Sequence, residues 1–248
     1  MSKLWLYIAN WKSYLAYQQE LSFFKQDLTE LQQLAVELKI QNKKLVICPS
    51  FITLAQISEI LDTQNISSIK LGAQNCSATE LGAYTGEISA KSLQELGCNY
   101  CLVGHAECRK FFYETELELT AKIKLLIQAK IVPIICISDA QQLINILADL
   151  TLEDLAQCES SFIIAYEPNW AIGTGKVPTN SEISQFCQAV QAIIKTKYNN
   201  CLKSYFIIYG GSVTANNISE LQQITELNGV LIGKASINFQ ELKKIVLS

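Results

Sequence analysis

Two kinds of segment alternate along this chain. Short, almost continuous apolar runs are followed by longer segments in which apolar residues recur every three or four positions. The first pattern is typical of strands buried on both faces of a parallel sheet, and the second is typical of helices that bury one side. The apolar runs predict strands at residues 4–10, 44–49, 69–75, 100–105, 132–138, 162–167, 205–210 and 229–233.

A segment of helical spacing follows each predicted strand. In one of them, we expect one buried side of a helix to be formed by Leu117, Ile123, Leu126 and Ile127. The predicted helices cover residues 16–40 as one helix or two, 51–62, 87–96, 115–130, 139–158 with a break, 179–198, 214–226 and 236–246. Eight βα units within 248 residues predict one α/β domain over residues 1–248, a closed (β/α)8 barrel. An open doubly wound sheet is the alternative.

Charge and composition narrow the choice of partners. With a formal net charge of −3 and no cluster of Lys or Arg, the chain offers no general attraction to nucleic acid or to an anionic membrane. The apolar run at residues 4–9 is too short for a signal or membrane-spanning segment, and Asn10 and Lys12 follow it. We therefore predict a cytoplasmic protein that binds neither nucleic acid nor membrane.

Cysteine and histidine usage gives little support for a metal site. Most of the nine cysteines lie within apolar runs, where a reduced core thiol is the ordinary interpretation, and the chain has one histidine. Cys98 and Cys101 form a CxxC pair, but "CNYCLVGH" predicts a strand, in which these two side chains would point to opposite faces. We predict no metal ligand and no disulfide framework.

Polar residues at strand ends are the candidates for chemistry, because the site of a (β/α)8 enzyme forms where the strands end. Asn10 and Lys12 follow the first strand, His105 and Glu107 the fourth, and Glu167 the sixth. Glycine-rich "YGGS" and "IGKA" follow the seventh and eighth. Each residue alone has a structural interpretation, such as a helix cap, a buried histidine or a surface lysine. Together they supply a base, an imidazole, a cation and backbone amides.

Six segments, in order along the whole chain, resemble the triosephosphate isomerase family: "ANWK", "AYTGEIS", "VGHAECR", "AYEPNWAIGTGK", "YGGSV" and "LIGKAS". The resemblance implies a TIM barrel and an intramolecular aldose–ketose isomerase of glycolysis and gluconeogenesis. Its substrates would be the small molecules dihydroxyacetone phosphate and D-glyceraldehyde 3-phosphate, and it would need no cofactor and no metal.

The resemblance also implies roles for the residues at the strand ends. Glu167 would be the general base that moves a proton through an enediol(ate) intermediate. His105, as a neutral imidazole, would polarise the carbonyl, while Lys12 and Asn10 would stabilise the oxyanion and position the substrate. Glu107 would support the site as an ion-pair partner of Lys12.

The resemblance implies a phosphate site and a second subunit as well. Residues 168–176 would form a lid whose Gly173 offers an amide to the phosphate. The amides of Ser212, Gly233 and Lys234 would complete the phosphate site.

The segment "GAYTGE" would reach into a neighbouring subunit of a homodimer. Thr85 would then lie near the neighbour's copies of Asn10 and His105.

This chain departs from the family pattern at several positions. Lys234 stands where a second glycine is usual. If that position needs a positive φ, a lysine there costs on the order of 1 kcal/mol. The alternative hypothesis is that the Lys234 side chain adds a cation beside the phosphate. Ala106 and Cys108 replace a serine and an arginine, and Ser138 and Asp139 replace a glycine and a glutamate. Two other functions therefore stay open: a Schiff-base aldolase using one of the strand-end lysines, and a catalytically inactive binder of sugar phosphates.

Overall fold

A closed barrel of eight parallel strands forms the centre of the molecule. A computed structural model describes residues 3–26, 28–64, 66–151, 153–154, 162–168, 170–171, 177–198 and 205–248. The strands are β1 (Trp5–Asn10), β2 (Lys43–Cys48), β3 (Ile69–Ala73), β4 (Tyr100–Val103), β5 (Val132–Ile137), β6 (Phe162–Tyr166), β7 (Tyr205–Gly210) and β8 (Gly229–Ile232). β1 pairs with both β2 and β8, which closes the barrel. The (β/α)8 prediction is confirmed, and the open doubly wound alternative is wrong.

Helices connect the strands and cover the outside of the barrel. They are α1 (Tyr17–Gln26), α2 (Leu28–Ile40), α3 (Leu54–Thr63), α4 (Ala90–Glu95), α5 (Ala106–Phe111), α6 (Glu116–Gln128), α7 (Ala140–Ala148), α8 (Asn180–Tyr198), α9 (Ile218–Gln222) and α10 (Phe239–Leu247). A 3-10 helix spans Lys234–Ile237. The expectation that Leu117 is buried was wrong: it is 77% exposed, because the helical repeat places it on a different side of α6 from the other three apolar residues. In the described part of the chain, no helix is both long enough and apolar enough to cross a membrane.

The core has two layers because successive strand side chains point alternately into and out of the barrel. Ile8, Leu102, Ile134 and Ile208 belong to the cluster that fills the barrel interior. A larger cluster packs the outer strand faces against the helices. The alternation explains why the strands read as almost continuously apolar: both faces are buried.

Several predicted boundaries differ from the structure. β4 begins at Tyr100, so Cys98 lies before the strand and the expected strand over both cysteines was wrong. Both residues belong to the outer core cluster, yet no group of metal-binding side chains occurs among the described residues. The segment predicted at 214–226 holds only the short α9, because turns lie on both sides of it.

Sequence analysis did not predict α5, a six-residue helix directly after β4. It begins after His105, whose Nδ1 accepts a hydrogen bond from the backbone N–H of Glu107 at 3.1 Å. The imidazole thus acts as an N-terminal cap in place of the usual Ser, Thr, Asp or Asn. Because a histidine cap is not part of the usual start signal of a helix, the sequence pattern did not indicate α5.

Candidate active site

A cavity of about 590 Å³ opens at the carboxyl ends of the strands. Its lining includes polar and charged side chains from three strand ends, namely Asn10, Lys12, His105, Glu107 and Glu167. Ser212, Gly233 and Lys234, which follow the last two strands, line it as well. The structure therefore brings together eight of the residues that sequence analysis selected, although they come from five different strand ends. Gly173 lies outside the described residues, and Thr85 lies on an exposed loop away from this cavity.

Lys12 is held in an unfavourable backbone conformation. Its φ is +51°, in the left-handed region that costs a non-glycine residue about 1 kcal/mol. Asn10 Oδ1 accepts a hydrogen bond from the Lys12 N–H at 3.1 Å, and Gln74 Nε2 donates to the Lys12 carbonyl at 2.8 Å. Gln74 was missed by sequence analysis, although its place just after β3 was a strand-end signal of the kind used for the other residues.

The Lys12 side chain is fixed by an ion pair. Its Nζ lies 2.8 Å from Glu107 Oε1 in the first turn of α5. Because Glu107 is partly exposed and Lys12 lines the cavity, water or a ligand can compete for the ammonium group. Lys12 thus contributes a cation to the cavity lining, restrained by its ion pair with Glu107.

The geometry of His105 determines where its proton lies. Nδ1 must carry a lone pair because it accepts the N–H of Glu107, so a neutral ring has its proton on Nε2. Burial alone lowers the pKa of His105, but the charges of Glu167 and Glu107 outweigh it and shift the pKa upward. The Glu107 amide opposes that rise, since an imidazolium could not accept its hydrogen bond.

Glu167 lies just after β6 and is only 6% exposed. Its Oε1 is 3.4 Å from His105 Nε2, and its Oε2 has no hydrogen-bond partner among the described residues. The Glu167 side chain rests against Gly210: a Cβ there would lie 2.8 Å from Glu167 Cγ. Gly210 is the last residue of β7, and its missing side chain makes room for the carboxylate.

Cys136 lies beside Glu167 and is excluded as a nucleophile by its surroundings. Burial and the nearby Glu167 carboxylate raise the pKa of the Cys136 thiol well above its usual value. A buried thiol of this kind stays protonated and unreactive. The reactive groups of the cavity are therefore the carboxylate, the imidazole and the ammonium group.

The part of the cavity wall after β7 and β8 offers backbone amides and a second cation. Lys234 is the first residue of the 3-10 helix. Its φ is not positive, so the backbone strain that a lysine would suffer in the left-handed region is absent. Gly233 faces open space, since a Cβ there would meet only Lys12 Cε at 3.7 Å. Amides at the start of a helical turn beside an open glycine suit an anionic group.

The fold and the cavity define a class of protein: a (β/α)8-barrel enzyme whose site combines a buried carboxylate with an imidazole and a cation. The family model "Triosephosphate isomerase" matches residues 5–248. The chain is 37% identical to the triosephosphate isomerase of Amoebophilus asiaticus, with 97% of each chain covered. It is 38% identical to that of Wolbachia sp. subsp. Brugia malayi over 97% of this chain and 96% of the relative. Identity to that of Dehalococcoides mccartyi is 40%, over 88% of each.

The chain belongs to the triosephosphate isomerase family and is therefore an isomerase. This membership agrees with the resemblance carried by the six sequence segments.

Proposed function

We propose that Glu167, His105 and Lys12 carry out the reaction of this family, the interconversion of dihydroxyacetone phosphate and D-glyceraldehyde 3-phosphate in glycolysis and gluconeogenesis. The observation that carries the proposal is the 3.4 Å approach of Glu167 Oε1 to His105 Nε2 beside an open cavity. A base and a proton donor this close can act on adjacent atoms of one small substrate.

The proton transfers follow from these positions. Glu167 takes a proton from the carbon next to the carbonyl; the C–H electron pair forms a C=C bond, and the carbonyl oxygen takes up the negative charge. His105 donates from Nε2 to that oxygen and takes a proton from the neighbouring hydroxyl. Glu167 then returns its proton to the former carbonyl carbon. A neutral imidazole in this role is an established feature of triosephosphate isomerase.

The remaining residues position the substrate. Lys12 and Asn10 stabilise the developing oxyanion, and Glu107 restrains Lys12 through their 2.8 Å ion pair. The amides of Ser212, Gly233 and Lys234 bind the phosphate, and the amide of Gly173 in the lid joins them. No cofactor takes part, and residues 1–248 act as a single catalytic domain.

We further propose a homodimer in the cytoplasm. Leu81 and Tyr84 are 68% and 52% exposed on the loop that carries Thr85, and Phe112 at the end of α5 is 76% exposed. Exposed apolar groups of this size are typical of a surface covered by another subunit. Analytical ultracentrifugation tests the dimer: Tyr84→Asp should shift the protein towards the monomer, and an unchanged sedimentation profile would contradict this interface.

The function is tested by the rate of conversion of D-glyceraldehyde 3-phosphate, coupled to glycerol-phosphate dehydrogenase. We expect turnover by the parent, a loss of about 10²- to 10⁴-fold in kcat for Glu167→Gln, and no change for the exposed Glu59→Gln. Glu167→Asp keeps the charge and should lose less.

A folded parent without turnover would overturn the proposal in favour of a sugar-phosphate binder. Covalent trapping of a carbonyl substrate by borohydride would instead indicate a Schiff-base lysine.

A further inference from the structure

Lys234 changes the balance of charge around the cavity. Four charged side chains line the cavity: Lys12, Glu107, Glu167 and Lys234. Lys12 is already paired with Glu107, and Glu167 adds a second negative charge, whose Oε1 lies beside the imidazole and whose Oε2 has no hydrogen-bond partner among the described residues. Without Lys234 these groups would present a net negative charge to a substrate whose phosphate carries nearly two negative charges at neutral pH.

Hydrogen bonds hold the backbone around Lys234 in place. Ser236 donates from its backbone N–H and from its hydroxyl to the Gly233 carbonyl, at 2.8 Å and 2.7 Å. The fully buried Trp11 donates from Nε1 to the Ser236 carbonyl at 3.1 Å. These bonds tie the 3-10 helix to the end of β1, so the start of the Lys234 side chain is fixed at the cavity wall.

The Lys234 side chain itself is exposed and available. It makes no ion pair with any carboxylate in the part of the chain that the structure describes. Lys12 also lies close to Gly233, since its Cε is 3.7 Å from where a Gly233 Cβ would be. The two lysines therefore flank the Gly233 backbone, one tied to a carboxylate and one not.

We propose that the Lys234 ammonium group forms an ion pair with the substrate's phosphate and makes this residue a determinant of specificity for phosphorylated trioses. This inference rests on the proposed function and deepens it. Lys12 stabilises the reacting oxygen, and Lys234 binds the phosphate. The charge of Lys234 also offsets the negative charge of Glu167. Because the phosphate does not change during the reaction, the contact binds ground state and transition state alike.

The test compares the parent with Lys234→Gln, and Lys195→Gln removes the same charge from an exposed position on α8 as the matched control. For D-glyceraldehyde 3-phosphate we expect KM to rise about three- to tenfold with kcat nearly unchanged, and the dependence of kcat/KM on salt to weaken. The slow isomerisation of D-glyceraldehyde, which has no phosphate, should not change. Calorimetry should give a similar weakening for inorganic phosphate, and Lys195→Gln should match the parent throughout.

The outcomes separate this inference from the proposed function. An inactive parent would overturn the function, and phosphate calorimetry would still test the Lys234 contact. An active parent with an unchanged KM and salt dependence in Lys234→Gln would overturn the contact alone. Equal losses on phosphorylated and unphosphorylated substrates would also overturn it, because they would show a structural effect of the substitution.

Discussion

Two lysine–glutamate pairs with almost the same geometry lie near the two ends of α5. Lys12 Nζ is 2.8 Å from Glu107 Oε1, and Lys122 Nζ is 2.6 Å from Glu114 Oε1. Their surroundings differ. The first pair has side chains that are 18% and 40% exposed, whereas the second has side chains that are 10% and 4% exposed. The same chemical pair is accessible to a ligand in one place and enclosed in the other.

Burial decides what each pair can do. Lys12 faces the cavity, so its ammonium group can exchange the Glu107 carboxylate for a substrate oxygen at little cost. Lys122 also donates to Asn75 Oδ1 at 3.0 Å, and Glu114 Oε2 has no partner among the described residues. Breaking the buried pair would leave an uncompensated charge away from water. We infer that the first pair serves catalysis and the second serves stability.

The largest expected effect comes from breaking the buried pair. Lys122→Met should lower the free energy of unfolding by about 3–5 kcal/mol, because Glu114 would stay buried without a counter-charge. The kcat of the folded fraction should change little. Urea denaturation followed by circular dichroism measures the loss.

Lys124→Met on the same helix is the control, since Lys124 lies 3.4 Å from Asp154 in a partly exposed pair and should cost under about 1 kcal/mol. Equal losses in the two variants would contradict the distinction by burial.

Lys12→Met should instead lower the catalytic rate and leave the stability almost unchanged. We expect kcat to fall about 10²- to 10³-fold, as when one oxyanion donor is removed, and the free energy of unfolding to change by less than about 1 kcal/mol. The coupled isomerase assay measures kcat, and urea denaturation of the same preparation measures the free energy of unfolding. If Lys12→Met lost stability but kept its rate, the assignment of the two pairs would have to be exchanged.

Removing both charges of the buried pair should recover most of the lost stability. Glu114→Gln combined with Lys122→Met leaves no unpaired charge, so its free energy of unfolding should lie within about 1–2 kcal/mol of the parent. The double-mutant cycle yields the coupling energy directly. Additive losses in the double variant would indicate that each residue contributes through packing and not through the pair.

The smallest effect should appear at high pH. Burial lowers the pKa of Lys122, but its hydrogen bond to Glu114 and the Glu114 charge outweigh it and shift the pKa upward. A raised lysine pKa stabilises the folded state fully below the unfolded value of 10.5, and the stabilisation is lost as the pH rises through the folded value. The stability difference between parent and Lys122→Met should therefore shrink above pH 10.5. A difference that grows with pH would contradict the upward shift.

Much of the candidate site could be predicted because a parallel barrel brings the ends of its strands to one face. Asn10, His105 and Glu167 were recognisable from their positions after apolar runs, before any contact was known. Gln74 also follows a strand, yet only its hydrogen bond to the Lys12 carbonyl gives it a role. The need for glycine at position 210 appears only when the Glu167 side chain is seen against it.

The buried ion pair was not predicted for a similar reason. Lys122 lies within α6 and Glu114 lies in the turn after α5, and neither position carries a sequence signal for burial. In a helix of this length a lysine is by default a solvated residue. Its enclosure depends on how α6 packs beside Asn75 and Cys108, which lie on other connections.

The sequence by itself determined the eight apolar runs, the order of strands and helices, and the polar residues at the strand ends, because these follow from local periodicity and from chain order. Only the tertiary structure decided the positive φ of Lys12, the proton position on His105, and which of two similar ion pairs is buried. These depend on distances and solvent access between residues far apart in the chain. Local sequence patterns do not specify such contacts, because the burial of these residues and the distances between their charges are set only when the barrel has closed.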